Sequence, residues 1–151
     1  IRMSFSIFMN SAISLENTNN QNVTYTYDFS NMEEGKYEVS FTYRGQQNHL
    51  DSTDLALVYI NFGTAPNVFR ASNNTTNRYS PYVGFLHNQY NTSTDGYLYA
   101  NLNDNAPFYI NQKPASNFIN VQIVYGNGAP FETHSAQFPA DYILTLSFKK
   151  I

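Results

Sequence analysis

The chain is expected to fold as an all-β protein, a single antiparallel β-sandwich of about eight strands, and three observations lead there. The first is strict alternation of apolar and polar residues. Met3, Phe5, Ile7 and Met9 alternate with Arg2, Ser4 and Ser6; Tyr37, Val39, Phe41 and Tyr43 alternate with Lys36, Glu38, Ser40 and Thr42; Tyr142, Leu144, Leu146 and Phe148 alternate with Asp141, Thr145 and Ser147. A period of two gives a strand one dry face, and a sheet with one dry face is covered most economically by a second sheet. The second observation is the supply of strand-favouring aromatics, 13 Tyr and 12 Phe. The third is the recurrence of turn signals at intervals of roughly ten to twenty residues, which suits an eight-stranded jelly roll or a related sandwich.

The elements follow in order. Arg2 to Met9 is a strand, broken from the next by Asn17-Thr18-Asn19-Asn20-Gln21, and Asn10 to Glu16 has room for a single helical turn. Val23 to Phe29 is a second strand. Gly35 supplies a turn conformation before the clearest strand of all, Lys36 to Arg44. A loop is expected from Gly45 to Thr53. Leu55 to Phe62 is apolar on both sides, which suits a strand buried on both faces or one whose outer face meets a partner. Gly63 to Asn77 reads as an exposed connection in which Asn67-Val68-Phe69-Arg70 pairs briefly. Further strands are expected at Tyr82 to His87, Tyr97 to Leu102, Phe108 to Ile110, Phe118 to Tyr125 and Tyr142 to Lys149, with Gly126-Asn127-Gly128-Ala129-Pro130 ending the fourth of these. The predicted core is Phe5, Ile7, Tyr37, Val39, Phe41, Val121, Ile123, Leu144, Leu146 and Phe148.

Residues 1–151 are enough for one domain that buries roughly 70% of the surface its unfolded chain exposes. There is no cysteine, so the fold uses no disulfide, thiol nucleophile or cysteine metal site. A net charge of −3 with only 13% charged residues supplies no basic field for nucleic acid and no polybasic patch for anionic lipid. Polarity comes instead from amides and hydroxyls, with 21 Asn, a residue that tolerates turn conformations. No apolar run reaches the length of a membrane-spanning helix. The opening Ile1-Arg2-Met3 has neither an initiator Met at position 1 nor the layout of a signal peptide, which implies residues missing or a processed N-terminus.

Chemistry-bearing constellations are sparse. His49, His87 and His134 are far apart in sequence and fit no metal-ligand spacing, so they read as surface or hydrogen-bonded histidines. Asp51 and Asp54, or Asp104 in Asn101-Leu102-Asn103-Asp104-Asn105, offer oxygen ligands without the spacing of a calcium loop. There is no Gly-x-Ser-x-Gly elbow for a serine hydrolase. No catalytic, cofactor-binding or metal-binding residue is therefore assigned, and no enzyme activity is expected. Asn22, Asn73, Asn74 and Asn91 begin Asn-x-Ser/Thr triplets, which matter only if the chain takes a secretory route. Tyr25, Tyr27, Phe29, Tyr37, Phe41 and Tyr43 read as core, and Tyr97 and Tyr99 are placed to stack on sugar rings, although such platforms usually include the Trp that is missing here.

The order of segments EGKYEVSFTYR, LALVYINFG, YLYANLNDNAPFYI, FINVQIVYG and DYILTLSFKKI resembles that of small jelly-roll minor capsid proteins of large icosahedral double-stranded DNA viruses. The resemblance spans nearly the whole chain and implies a structural role without catalysis or cofactor. On it, the chain would sit in the capsid of the virion and lock neighbouring major and minor capsid proteins together, with self-association as a further contact. It transfers no functional residue. The alternative is an extracellular lectin-like or adhesin-like sandwich that binds glycans through its loops; an enzyme on a cupin-like scaffold would need histidine ligands that this sequence does not group.

Overall fold

The computed structural model describes residues 3–18, 20–47, 56–62, 70–72, 77–79, 82–90, 96–125 and 139–151. Among them are twelve strands and no helix. In chain order these are β1 (Ser4–Asn10), β2 (Glu16–Thr18), β3 (Asn22–Thr26), β4 (Tyr37–Gln47), β5 (Ala56–Asn61), β6 (Arg70–Ser72), β7 (Asn77–Tyr79), β8 (Tyr82–Tyr90), β9 (Gly96–Ala100), β10 (Phe108–Ile110), β11 (Phe118–Tyr125) and β12 (Pro139–Lys150). Ten of them form one antiparallel sheet in the order β1-β12-β4-β9-β8-β5-β11-β3-β2, with β10 beside the start of β4. The other two, β6 and β7, pair as a separate ribbon.

The long strand β8 turns this sheet into a sandwich. Its residues 82–86 pair with β5, and its residues 87–90 pair with β9. Strands that change sheets make the corners of sandwiches, and a glycine is suited to such a bend. At Gly84 a β-carbon would lie 2.6 Å from the Asn105 side chain and 2.9 Å from Phe41 Cε1. One layer thus holds β1, β12, β4, β10 and β9, and the other holds β5, β11, β3 and β2. Among the described residues the sandwich is closed where β8 passes between layers and open at the opposite side, where β1 and the β3–β2 pair are the edges.

Period-two patterning produces the core directly. Leu144, Leu146 and Phe148 of β12 each lie between two apolar neighbours, Met9 and Tyr43, Ile7 and Phe41, Phe5 and Val39. In the other layer Val121 lies between Val23 and Ile60, and Ile123 faces Val58. The layers meet around Phe148, whose ring is 4.9 Å from Phe5, 5.8 Å from Phe62, 6.3 Å from Phe29 and 6.4 Å from Tyr37. Such offset and edge-on packing adds to the burial of each ring.

Nine of the ten residues expected in the core are buried; the tenth, Phe5, near the start of β1, is half-buried. Other expectations need correction. No helical turn forms over residues 10–16; a hydrogen-bonded turn and β2 occupy them. The strand expected to stop at Arg44 continues to Gln47, because β9 and β12 both pair with that extension. Tyr27 to Phe29 leave the ladder: the Tyr27 and Phe29 amides donate to the Asn117 carbonyl and side chain, and Asp28 accepts from the Ser30 N–H at 2.9 Å. That hydrogen bond holds the Asp28 carboxyl below its ordinary pKa range. Gly35 has φ +136°, the conformation its place before β4 required. Leu55, Asn67, Val68, Phe69 and the Gly126–Pro130 turn lie outside the described residues.

Candidate protein-interaction surface

Three of the nine exposed large apolar residues among the described residues come together around one cleft at the open side of the sandwich. Phe8 is 78% exposed, Ile13 79% and Leu15 57%. They border a cleft of about 540 Å³ between the layers, walled by Ile7, Met9, Tyr25, Tyr27 and Ile119. None of the residues lining it is charged.

These side chains are held outward by local structure. Phe8 takes the outer face of β1 because Ile7 and Met9, its neighbours in sequence, turn inward. Ile13 and Leu15 sit on a turn tied at every step. The Ile13 N–H donates to the Asn10 carbonyl at 2.9 Å, the Ala12 N–H to Asn10 Oδ1 at 2.9 Å, and the Leu15 N–H to the Thr24 carbonyl at 2.9 Å. Ser11, almost fully buried, anchors the turn to β12: its N–H donates to the Tyr142 carbonyl at 3.0 Å, and its Oγ accepts from the Tyr142 N–H at 2.9 Å. The Asn17 amide donates to the Ser11 carbonyl at 2.9 Å. Contiguous exposed apolar residues rimmed by polar ones make the kind of surface at which another molecule can dock.

Behind the cleft lies a tyrosine cluster. Tyr43 and Tyr142 stack at 4.8 Å, and the Tyr25 and Tyr142 hydroxyls are both buried without a hydrogen bond of ordinary geometry. The two hydroxyls nevertheless influence one another. Burial raises Tyr25 to about 12, raises Tyr142 further, and raises Tyr43 well above the ordinary tyrosine value. All three stay neutral at physiological pH, so the cluster acts as apolar wall.

A second surface lies on the outer face of β4, β9 and β8. Arg44 lies opposite Tyr99, and Tyr99 lies opposite His87. The His87 ring stacks on Tyr99 at 5.2 Å and meets the edge of Phe85 at 5.1 Å, while the Arg44 guanidinium is 5.5 Å from the centre of the Tyr97 ring. His87 Nε2 is 3.3 Å from Asp104 Oδ2, which also accepts from the Asn101 N–H at 2.7 Å. Asn105 accepts from the Phe85 N–H and donates to its carbonyl, both at 3.0 Å, standing in for a neighbouring strand.

The residues singled out in the sequence are scattered. His87 pairs with Asp104, whereas His49, His134, Asp51 and Asp54 lie outside the described residues. Among the described residues no three metal-ligating side chains come together. Asn22 is at the start of β3, its Oδ1 accepting from Asn120 Nδ2 at 2.7 Å; Asn73, Asn74 and Asn91 lie outside the described residues. Tyr97 and Tyr99 do face outward, but each ring already has Arg44 or His87 against it. The doubly apolar segment from Leu55 to Phe62 is central: β5 lies between β8 and β11, Ala56, Val58 and Ile60 are buried, and the outward Tyr59 packs against Tyr82. Its pattern is explained within the sheet. The residues that sequence reading missed are Phe8, Ile13 and Leu15. Phe8 had left a signal, because it interrupts the alternation with three successive apolar residues, Ile7-Phe8-Met9.

No protein-family model matches this chain, and no curated protein matches it.

Proposed function

We propose that this chain is a non-catalytic building block of a viral capsid, a jelly-roll protein that binds and locks neighbouring capsid proteins. The observation that carries the reading is the uncharged apolar rim around an open cleft, formed by Phe8 on the outer face of β1 and by Ile13 and Leu15 on a hydrogen-bonded turn. A protein that met only water would gain nothing from fixing such residues outside. Support for the jelly roll comes from strand order: numbering the eight strands β1, β3, β4, β5, β8, β9, β11 and β12 from one to eight gives layers 1-8-3-6 and 2-7-4-5, the order of two interlocked Greek keys. Low charge and abundant Tyr and Asn suit a protein-facing surface with a wet polar rim. Glycan binding draws less support, since Tyr97 and Tyr99 are engaged by Arg44 and His87.

The test is incorporation. Purified particles of the source virus should contain the chain, and a variant carrying Ile13→Glu and Leu15→Glu, both at exposed positions, should fold normally yet fail to be incorporated. Absence of the chain from particles, or full incorporation of the variant, would overturn the proposal.

A further inference from the structure

We infer that two copies of this chain pair antiparallel through the free edge of β1, joining their first layers into one continuous sheet. The hydrogen-bond register shows which groups are available. The Lys150 N–H donates to the Met3 carbonyl and the Ser11 N–H to the Tyr142 carbonyl, so Met3 and Ser11 both direct their backbone groups at β12. The ladder between them is unbroken from Ser4 opposite Lys149 to Asn10 opposite Ile143. In an antiparallel ladder this orientation alternates, so Phe5, Ile7 and Met9 also bond to β12 while Ser4, Ser6, Phe8 and Asn10 point their N–H and C=O groups away from it. Among the described residues no strand lies on that side, and of these outward groups the Asn10 carbonyl alone is engaged, by the Ile13 N–H at 2.9 Å.

The devices that an edge strand itself carries against pairing are a lysine, a proline, a bulge or an inward charge. Ser-Phe-Ser-Ile-Phe-Met-Asn has none of these, and its register with β12 is regular throughout.

The edge also suits its own copy. A two-fold axis at Ile7 places Ser4 opposite Asn10, Ser6 opposite Phe8, Phe5 opposite Met9 and Ile7 opposite Ile7. Every outward-pointing residue then meets another outward-pointing residue, giving four hydrogen-bonded pairs and about six backbone bonds from groups not already engaged, since the Asn10 carbonyl of each copy holds the Ile13 N–H. The apolar residues Phe5, Ile7 and Met9 meet one another on the inner face, directly above the cleft. Each copy carries a net charge of −3, yet neither β1 nor the residues lining the cleft include a charged side chain, so identical surfaces meet there without repulsion. A partner of unlike charge would have no electrostatic advantage at this face.

The inference is separate from the capsid reading, because a monomer could still be locked into a shell by other proteins. Sedimentation velocity on the 151-residue chain, over a concentration series up to its solubility limit, reads self-association directly. Association to a dimer is expected, with the Ser6 and Phe8 amides exchanging hydrogen more slowly as dimer accumulates. Phe8→Glu should weaken association by more than roughly tenfold, since symmetry counts the lost cross-strand contact and the added charge twice. Ser6→Lys should do the same, and Leu102→Glu, at an exposed residue on the loop after β9, should leave association unchanged. A chain that stays monomeric, a dimer indifferent to both β1 variants, or an edge occupied only by a strand from a different protein would each overturn the pairing.

Discussion

Replacing Phe148 by Ala should destabilise this protein more than almost any other single truncation, by about 3 to 5 kcal/mol. Phe148 is 1% exposed and touches four rings, Phe5 beside it in the same layer, Tyr37 at the start of β4, and Phe29 and Phe62 from the opposite layer. A buried aromatic removes roughly 150 to 250 Å² from water, which at about 25 cal/mol per Å² is about 4 to 6 kcal/mol for the whole residue. Alanine keeps the β-carbon, and the neighbours relax partly into the space, which lowers the expected loss to about 3 to 5 kcal/mol. Four other rings bound the vacancy, and the β12 backbone is fixed by β1 on one side and β4 on the other, so collapse is limited. Equilibrium unfolding in urea, followed by far-ultraviolet circular dichroism, measures the difference against the unsubstituted chain. Phe8→Ala is the matched control: the same atoms are deleted from a side chain 78% exposed, and the expected cost is below about 0.5 kcal/mol. A Phe148→Ala loss under about 1 kcal/mol, or equal losses for the two, would refute the placement of Phe148 between the layers.

Three further outcomes follow from the same structure. Tyr142→Phe removes a buried hydroxyl that lacks a well-formed hydrogen bond, so stability should hold or rise by up to about 1 kcal/mol, measured by the same urea titration. Stability should fall on alkaline titration: in the unfolded chain Tyr25 and Tyr142 lose their protons near the ordinary tyrosine pKa, whereas in the folded chain burial holds Tyr25 up to about 12 and Tyr142 above it. Their contribution is therefore complete below pH ~10 and is lost above it at up to about 1.4 kcal/mol per pH unit for each tyrosine, and the last part of the tyrosinate absorbance, that of the buried tyrosines, should appear together with unfolding. Gly84→Ala should cost about 1 to 3 kcal/mol, because the new methyl displaces Asn105 and with it both hydrogen bonds to Phe85, and hydrogen exchange should show the Phe85 amide opening first.

Much of the fold was legible because period-two alternation is a direct physical consequence of one-sided burial. The segments from Phe108 to Ile110 and Phe118 to Tyr125 form as read, and β1, β4, β5, β8, β9 and β12 differ from expectation only at their ends. Legibility ended where burial did. β2 is three exposed residues, Glu16, Asn17 and Thr18, held by pairing with β3 rather than by an apolar face, so its sequence carries no alternation to detect. The passage of β8 between layers depends on Gly84 being crowded by Asn105 and Phe41, contacts distant in sequence. The candidate surface was half legible. Phe8 breaks its strand's pattern, but Ile13 and Leu15 face water only because Ser11 is anchored to Tyr142 and Asn17, which no local pattern reveals.

Whether this chain works by packing against other proteins of a viral shell is decided by a reconstruction of the assembled particle at a resolution that shows side chains. Density for the sandwich is expected at defined positions in the shell, with Phe8, Ile13 and Leu15 covered and at least roughly 1,000 Å² of total surface buried at a contact with a neighbouring chain. A shell in which the chain is missing, or in which it is attached with those three side chains still facing solvent, would contradict that role.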